Sequence, residues 1–362
     1  MRVLLVSDWH LKYTASHALA LQRAGASVSL LCRTHVHEFG GSVEEQARVV
    51  KELARRGIEV FLLPGRISSP SGMPKLFSLV RLIRRWRPDV VHAQDNHDPR
   101  LLLLTRGYPL VLTIHDPIPH TGASQVGAPA TAIRKLWLRA ATAVIVHGEE
   151  LREGLRGAVA ISRVLVIPHG TAISPEPFRP PSTPTVLFFG RLEPYKGSRV
   201  LLAAMDIVWH ERPEIRLLVA GEGPEARHFA ARPKVELMAG YVPEEKVDGL
   251  FERASVVVLP YIDGSQSGIG LRAIGRGLPT IVTSVGALAA LAPDPSFVVP
   301  PNNASRLAEA VLAHIDNGGE TRAAVHRHAR ENFSWDVTAR RTLEIYSQVS
   351  RQDDGLVASR TP

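Results

Sequence analysis

The chain has 362 residues, 45% of them hydrophobic, with one cysteine and a formal net charge of +8 at neutral pH. That length suffices for two hydrophobic cores and predicts about two domains. The lone Cys32 excludes an internal disulfide framework or thiolate cluster and fits a reducing compartment, while the positive charge favours anionic partners without choosing among nucleotides, nucleic acid and acidic lipid.

At the amino terminus the apolar run ends at Asp8, too short for a signal peptide, and no later run approaches transmembrane length. Short apolar runs then alternate with helical patterns: residues 3–6, 28–32, 60–63, 90–92, 110–114, 144–147 and 164–167 read as strands. Such alternation predicts a parallel sheet flanked by helices. Residues 75–87 interleave Arg81, Arg84, Arg85 and Arg87 with Leu76, Leu79, Val80, Ile83 and Trp86. A membrane-surface helix has this pattern, and so does a domain helix packing an apolar stripe on the sheet, which is the reading adopted. The ends of two strands are rich in polar side chains, His92-Ala93-Gln94-Asp95-Asn96-His97-Asp98 and His115-Asp116-Pro117-Ile118-Pro119-His120. Their spacings are not those of zinc ligands, so they are expected to line the wall of a cleft rather than hold a metal.

The alternation stops where Pro175, Pro177, Pro180, Pro181 and Pro184 interrupt regular pairing, and resumes with strands predicted at 186–189, 216–220, 235–239, 256–259 and 280–283. The expected organisation is a first domain over 1–172, a proline-rich linker over 173–184, a second domain over 185–333, a last helix over 334–350 and a disordered tail over 351–362. Both domains are expected to be doubly wound α/β sheets of Rossmann-like build, whose ligands bind beyond the carboxyl ends of the strands, and two of them facing each other make a cleft.

Four loops of the second domain are expected at one strand edge. The first, Gly-Arg-Leu-Glu-Pro-Tyr-Lys-Gly over 190–197, sets Arg191 and Lys196 above the start of a helix whose free N–H groups favour an anion. Alone it equally fits a solvated turn with two surface charges. The second, Val-Ala-Gly-Glu-Gly over 219–223, matches part of a dinucleotide fingerprint, but the following strand leads to Gly240-Tyr241 rather than to a ribose-binding acid, which rejects a dehydrogenase. The third, Gly240-Tyr241-Val242-Pro243, offers backbone and an aromatic ring to flank a base, or a packing tyrosine. The fourth, Pro260-Tyr261-Ile262-Asp263-Gly264-Ser265-Gln266-Ser267-Gly268, offers small residues and neutral donors to a phosphate, or is simply a polar loop. Lys196 precedes its glycine, so the order Gly-Lys-Ser/Thr of phosphate-loop nucleotidases is absent. Nor does any basic stripe interleaved with aromatics support nucleic-acid binding.

Taken together, the motifs at 190–197, 219–223, 240–243, Ser-Gln-Ser-Gly at 265–268, Gly-Leu-Pro-Thr at 277–280, Asp-Val-Val-His at 89–92, Thr-Ile-His-Asp-Pro at 113–117 and Ile-Pro-His-Gly at 167–170 resemble family 4 nucleotide-sugar glycosyltransferases over nearly the whole chain. The resemblance implies the GT-B architecture, with a last helix crossing back to the first domain. It implies transfer of a sugar from a nucleoside diphosphate sugar to a hydroxyl acceptor, with retention and without a metal or other cofactor. His115, Arg191 and Lys196 would be the catalytic set, with His115 facing the reacting sugar and the two cations neutralising the leaving diphosphate. Gly190, Tyr195, Gly221, Tyr241, Val242, Ser265, Gln266, Ser267 and Gly268 would bind the donor, and Asp8, His10 and Asp116 would lie on the acceptor side. A glycan, glycolipid or small hydroxyl compound would be the acceptor, in polysaccharide or glycolipid assembly, and the enzyme would be cytoplasmic with peripheral contact to the inner membrane face. Two departures stand out. Gly264 and Arg272 occupy the positions of the Glu-x7-Glu carboxylates of many members, which leaves open a non-catalytic sugar-nucleotide binder, and the loop Ser7-Asp8-Trp9-His10 lacks the paired glycines often found there.

Overall fold

Apolar runs bounded by polar turns become the buried strands of two parallel sheets in the computed structural model, which describes residues 1–7, 10–33, 38, 42–63, 73–95, 98–117, 128–230 and 232–358. The described residues up to 168, together with 335–358, form one unit, and 169–334 form the other.

In the first unit the order is β1 (Arg2–Ser7), α1 (Leu11–Arg23), β2 (Ser27–Arg33), α2 (Val43–Arg55), β3 (Glu59–Leu63), α3 (Met73–Trp86), β4 (Val90–Gln94), α4 (Pro99–Leu104), β5 (Leu110–Thr113), α5 (Ala128–Ala140), β6 (Ala143–Val146), α6 (Glu149–Glu153) and β7 (Val164–Val166). The seven strands lie in the order β3-β2-β1-β4-β5-β6-β7, every neighbouring pair parallel. Val3, Leu4, Leu5 and Val6 are fully buried, as both faces of a parallel sheet require. Register fixes the site described below: Leu5 pairs with His92, Gln94 with Thr113, and Thr113 with Ile145. Helix starts follow local chemistry; the Ser42 side chain accepts the Glu45 N–H at 3.1 Å ahead of α2, and Asp98 accepts from Arg100 N–H at 2.9 Å ahead of α4.

The second unit contains β8 (Thr185–Phe189), α7 (Ser198–Glu211), β9 (Arg216–Gly221), β10 (Val235–Ala239), α8 (Glu244–Glu252), β11 (Val256–Leu259), α9 (Gly268–Ile274), β12 (Thr280–Thr283), β13 (Val298–Val299), α10 (Ala304–His314) and α11 (Gly319–Phe333). Its strand order, β10-β9-β8-β11-β12-β13, repeats that of the first six strands of the other sheet. Each sheet therefore reverses its winding beside its first strand, between β1 and β4 and between β8 and β11. At such a reversal the two neighbouring connections leave on opposite faces and open a crevice at the carboxyl ends of the strands.

Two expectations are corrected. The proline-rich stretch is not a free linker: the N–H groups of Ser174 and Phe178 donate to the carbonyls of Gly275 and Arg276 at 2.9 and 2.8 Å, and Arg322 donates to the Phe178 carbonyl at 3.1 Å. Proline lacks a donor itself, but the residues between prolines keep theirs, and here they tie the stretch onto the second unit. The last helix, α12 (Trp335–Ala358), continues beyond residue 350 into the segment expected to be disordered. No proline interrupts it there, and the one glycine, Gly355, costs only about 1 kcal/mol in a helix.

Although last in sequence, α12 belongs to the first unit. Ala339, Ile345, Tyr346 and Val349 join Leu11, Ala15, Ala18 and Leu21 of α1 in one core, and Arg23 meets Asp336 at 2.8 Å. Tyr346 is fully buried. Its replacement by alanine should lower the stability of the first unit by about 3–5 kcal/mol, read from the denaturant midpoint of the purified variant, and a midpoint unchanged from the parent would contradict this packing.

Candidate functional site

At the β8/β11 reversal of the second unit, backbone packs on backbone. The turn after β8 is tied to the turn after β9 by Gly190 N–H donating to the Ala220 carbonyl at 3.0 Å, Leu192 N–H to Glu222 at 2.7 Å and Glu225 N–H to Leu192 at 3.0 Å. Gly221, at φ +129°, sits so close that a Cβ there would lie 1.9 Å from the Gly190 carbonyl oxygen. Gly197, at φ +77°, precedes α7, and a Cβ there would lie 1.9 Å from the Pro260 carbonyl oxygen beyond β11. Only glycine meets both the left-handed conformation and the close approach.

This contact carries the turn from β8 to β11. Ile262 N–H donates to the Tyr195 carbonyl at 2.8 Å, Lys196 Nζ lies 3.6 Å from the Tyr261 ring centroid and 4.8 Å from that of Tyr195, and Arg191 donates to the Tyr195 hydroxyl at 3.3 Å. Both cations and both tyrosines thus gather above the amino terminus of α7, which has no side-chain cap. Ser198, the first residue of α7, has a buried hydroxyl with no hydrogen-bond partner among the described residues. The arrangement sets two cations beside the uncapped N–H groups of a helix, which is the chemistry of an anion site. Burial pushes the Tyr261 phenol up to about 12, so it remains neutral beneath the lysine.

The fourth loop follows β11 at the same reversal. Ser267 Oγ accepts the Gly270 N–H at 3.2 Å and shares a hydrogen bond with Tyr261 at 2.9 Å, so this hydroxyl shapes the loop. Ser265 is buried, with its carbonyl accepting the Ala287 N–H at 2.9 Å; Gln266 is half-buried and Gly268 exposed. Tyr241 stands exposed after edge strand β10, and Val242, half-buried, packs against the core. Arg272, in place of an expected carboxylate, pairs with Glu244 of α8 at 2.5 Å.

In the first unit the reversal between β1 and β4 leads to a buried polar chain. His147, just past β6, bonds through Nδ1 to the Ile167 carbonyl at 2.9 Å and through Nε2 to His115 Nδ1 at 3.2 Å. His115, two residues beyond β5, reaches Gln94 at 3.1 Å through Nε2; Gln94 contacts His92 at 3.4 Å, and His92 bonds Thr113 at 2.7 Å and Tyr346 at 2.5 Å. His10 stacks on the His115 ring at 4.1 Å and Tyr13 meets it edge-on at 4.8 Å. His115, the link between His147 and Gln94, is half-buried, while His92, Gln94 and His147 are buried. The exposed Asp116 gives its carbonyl to Arg134 at 2.6 Å. Asp8, His97 and His120 lie outside the described residues. Among the described residues no three His, Cys, Asp or Glu side chains are grouped to hold a metal ion.

Sequence reasoning missed three contributors. Glu38 accepts the N–H groups of Leu11 and Lys12 at 2.7 and 2.9 Å, filling the amino terminus of α1 with a carboxylate of this chain, and burial raises its pKa to about 7. Nothing in the local pattern links residue 38 to residue 11. His147 and Ser198 each carried a signal, a polar residue closing an apolar strand and a hydroxyl directly after Lys-Gly.

The comparisons with known proteins agree with this geometry. A family profile described as Glycosyltransferase Family 4 matches residues 12–174, and one described as Glycosyl transferases group 1 matches 183–317. Together they span most of the chain. The chain is similar to a glycogen synthase of Mycobacterium tuberculosis, at 27% identity over 74% of this chain and 70% of the relative. It is similar to a phosphatidyl-myo-inositol mannosyltransferase of Mycobacterium leprae, at 26% identity over 88% of this chain and 93% of the relative. Its fold is that of Anabaena Alr3699/HepE, solved in complex with UDP-glucose, with a TM-score of 0.69, 15% identity, and coverage of 96% and 100% of the two chains. Two doubly wound parallel sheets of this order define the GT-B fold. The chain belongs to the family 4, group 1 glycosyltransferases.

The buried histidines set an acid limit. Burial, reinforced by neighbouring histidines, lowers His17 to about 3, His147 to about 4 and His92 well below 6.5. Between those values and 6.5 the unfolded chain binds protons that the folded unit refuses, so stability falls as pH falls, by about 1.4 kcal/mol per histidine per pH unit. Glu38 acts oppositely between 4.5 and about 7, because its folded form holds the extra proton. Three protons outweigh one: the first unit should lose stability steadily from pH 6.5 to 4.5, as a melting temperature dropping over that window, whereas a flat profile would contradict neutral burial of these rings.

Proposed function

We propose that this glycosyltransferase moves a sugar from a nucleoside diphosphate sugar to a hydroxyl acceptor. The observation that carries the reading is the convergence of Arg191, Lys196 and the uncapped amino terminus of α7 at the β8/β11 reversal. Negative charge develops on a departing diphosphate as the glycosidic bond breaks, and preorganised cations and N–H donors stabilise it more in the transition state than in the bound donor. These groups supply the neutralisation that a metal gives other sites, so the transfer is proposed to run without a metal or other cofactor. Retention of anomeric configuration, as the resemblance implies, and engagement of the reacting sugar by His115 complete the proposal.

Losing one such donor costs about 3 kcal/mol, so Lys196→Ala should lower turnover roughly a hundredfold. Steady-state transfer measured with nucleotide release checks this, and near-normal turnover in a folded variant would sink the assignment. His115→Ala should impair transfer more than donor binding. A protein that binds the donor but neither transfers nor hydrolyses it with any acceptor would instead favour the non-catalytic reading raised by Gly264 and Arg272.

The acceptor is proposed to be a glycan or glycolipid, in line with the names of the two relatives above, and the protein to work in the cytoplasm with peripheral contact to an acidic membrane face. Among the described residues no helix is long and apolar enough to cross a membrane. The contact is proposed through α3, which buries Ile83 in the unit yet leaves Phe77 63% and Leu82 38% exposed beside exposed Arg81, Arg84 and Arg85. Cosedimentation with phosphatidylglycerol vesicles should weaken with added salt and be lost when Phe77 becomes Ser and the three arginines become Gln; binding unaffected by these changes would remove α3 from the contact.

A further inference from the structure

Open parallel sheets bind ligands beyond the carboxyl ends of their strands, yet the second unit also has a cavity at the opposite edge. The amino ends of β8, β9 and β10 surround about 430 Å³, within the roughly 300–1,000 Å³ of small-molecule sites. Buried Leu217 and Leu218 and the rings of Pro181 and Pro233 give it apolar walls. Ser182 and Thr183, both exposed, add hydroxyls.

The charge of this cavity is lopsided. Val235 pairs with Leu217, and the Leu217 N–H donates to the Lys234 carbonyl at 3.1 Å, so Lys234 and Arg216 stand side by side at the ends of neighbouring strands. Both line the cavity, and among the described residues neither pairs with a carboxylate. Lys234 Nζ lies 5.9 Å from the Trp209 ring centroid. Like charges on adjacent strand ends repel. Nor do the nearby helix ends, where the macrodipole is negative, call for them: α7 and α8 are capped by arginines of their own, Arg212 and Arg253. Arg253 also lines the cavity but is engaged by Glu236, which accepts from it at 2.9 and 2.5 Å. Three cations and one carboxylate therefore line the cavity, a surplus of two positive charges held by Arg216 and Lys234.

We propose that this cavity binds a small phosphorylated sugar. One phosphate bridges the adjacent guanidinium and ammonium groups through charge-assisted hydrogen bonds and relieves their repulsion. Glu236, its pKa lowered by the hydrogen bonds from Arg253, stays ionised, opposes a second anionic group and accepts sugar hydroxyls, as Ser182 and Thr183 also do. The site is separate from the donor turn and does not rest on the proposed function. Strand β8, five residues long, sets about 17 Å between the cavity and the start of the turn 190–197.

The test is calorimetric titration of mannose 6-phosphate, mannose and inorganic phosphate into the full chain at low salt. Mannose 6-phosphate should bind, inorganic phosphate more weakly and mannose not at all. Arg216→Gln with Lys234→Gln should weaken mannose 6-phosphate binding roughly 10- to 100-fold, the scale of losing charged hydrogen-bond donors, whereas Lys196→Ala should leave it unchanged. The melting temperature of the unliganded double variant should match or exceed that of the parent, because a repulsion has been removed. Ser182→Trp, which fills the cavity from an exposed position and keeps both cations, should also abolish binding. No binding of mannose 6-phosphate to the parent overturns the proposal, as does binding untouched by either cavity variant. Binding lost in Lys196→Ala but kept in the double variant overturns it by placing the phosphate at the donor turn, and inorganic phosphate binding as tightly as mannose 6-phosphate overturns the assignment to a sugar.

Discussion

The second unit depends on one contact, the seating of Gly197 against the Pro260 carbonyl. Strands β8 and β11 diverge at their carboxyl ends because their connections leave on opposite faces of the sheet, and the turn 190–197 must bridge that divergence to start α7. It does so by pressing backbone on backbone, at a distance no Cβ would permit. From this one approach follow the rest: Ile262 pairs with Tyr195, Lys196 lies across the Tyr261 ring, and the first N–H groups of α7 stay uncapped beside two cations. Rigid placement matters to the chemistry as much as charge does. A cation on a free loop relaxes around the bound donor and the transition state alike, whereas one fixed over an aromatic ring favours whichever state brings charge to it.

The two units solve the problem of holding polar groups at a sheet edge by different means. In the second, glycine turns and helix dipole supply much of the polarity, and charged side chains are few and half-exposed. In the first, polarity is carried by side chains buried in a chain of imidazoles and an amide, each satisfied by the next. Desolvation keeps His92 and His147 neutral, which makes each of them both a donor and an acceptor. The cost is acid sensitivity, since the same rings must stay unprotonated for the unit to stay folded.

Much of this was legible in the sequence, and the limits have physical causes. Strands such as Val3–Val6 and β11 were readable because a doubly covered parallel strand is apolar along its whole length. The turn 190–197 was readable as a strand-to-helix turn because glycines bound it directly after an apolar strand, although alone it equally fitted a solvated loop. Val242 and Ser267 lie in loops singled out from the sequence, but that Val242 packs against the core and Ser267 bonds within its own loop was not legible, because loop sequence does not encode which way a side chain faces. The proline-rich stretch was misjudged because prolines mark the absence of regular pairing, whereas Ser174 and Phe178 between them bond to a turn about a hundred residues away. Glu38 was invisible for the same reason, and His147, though it closes an apolar strand, could not be given its partner: Leu11 and His115 are their neighbours only after the sheet is wound.

The most direct test of the account is calorimetric titration of UDP, GDP and ADP, each beside its parent nucleoside, into the protein and into Lys196→Ala. The account requires one diphosphate to bind well above its nucleoside, with that advantage largely removed by the substitution and diminished by salt. Equal binding of nucleoside and diphosphate, or a diphosphate advantage untouched by loss of Lys196, would contradict the claim that the turn between β8 and α7 is built to hold the diphosphate.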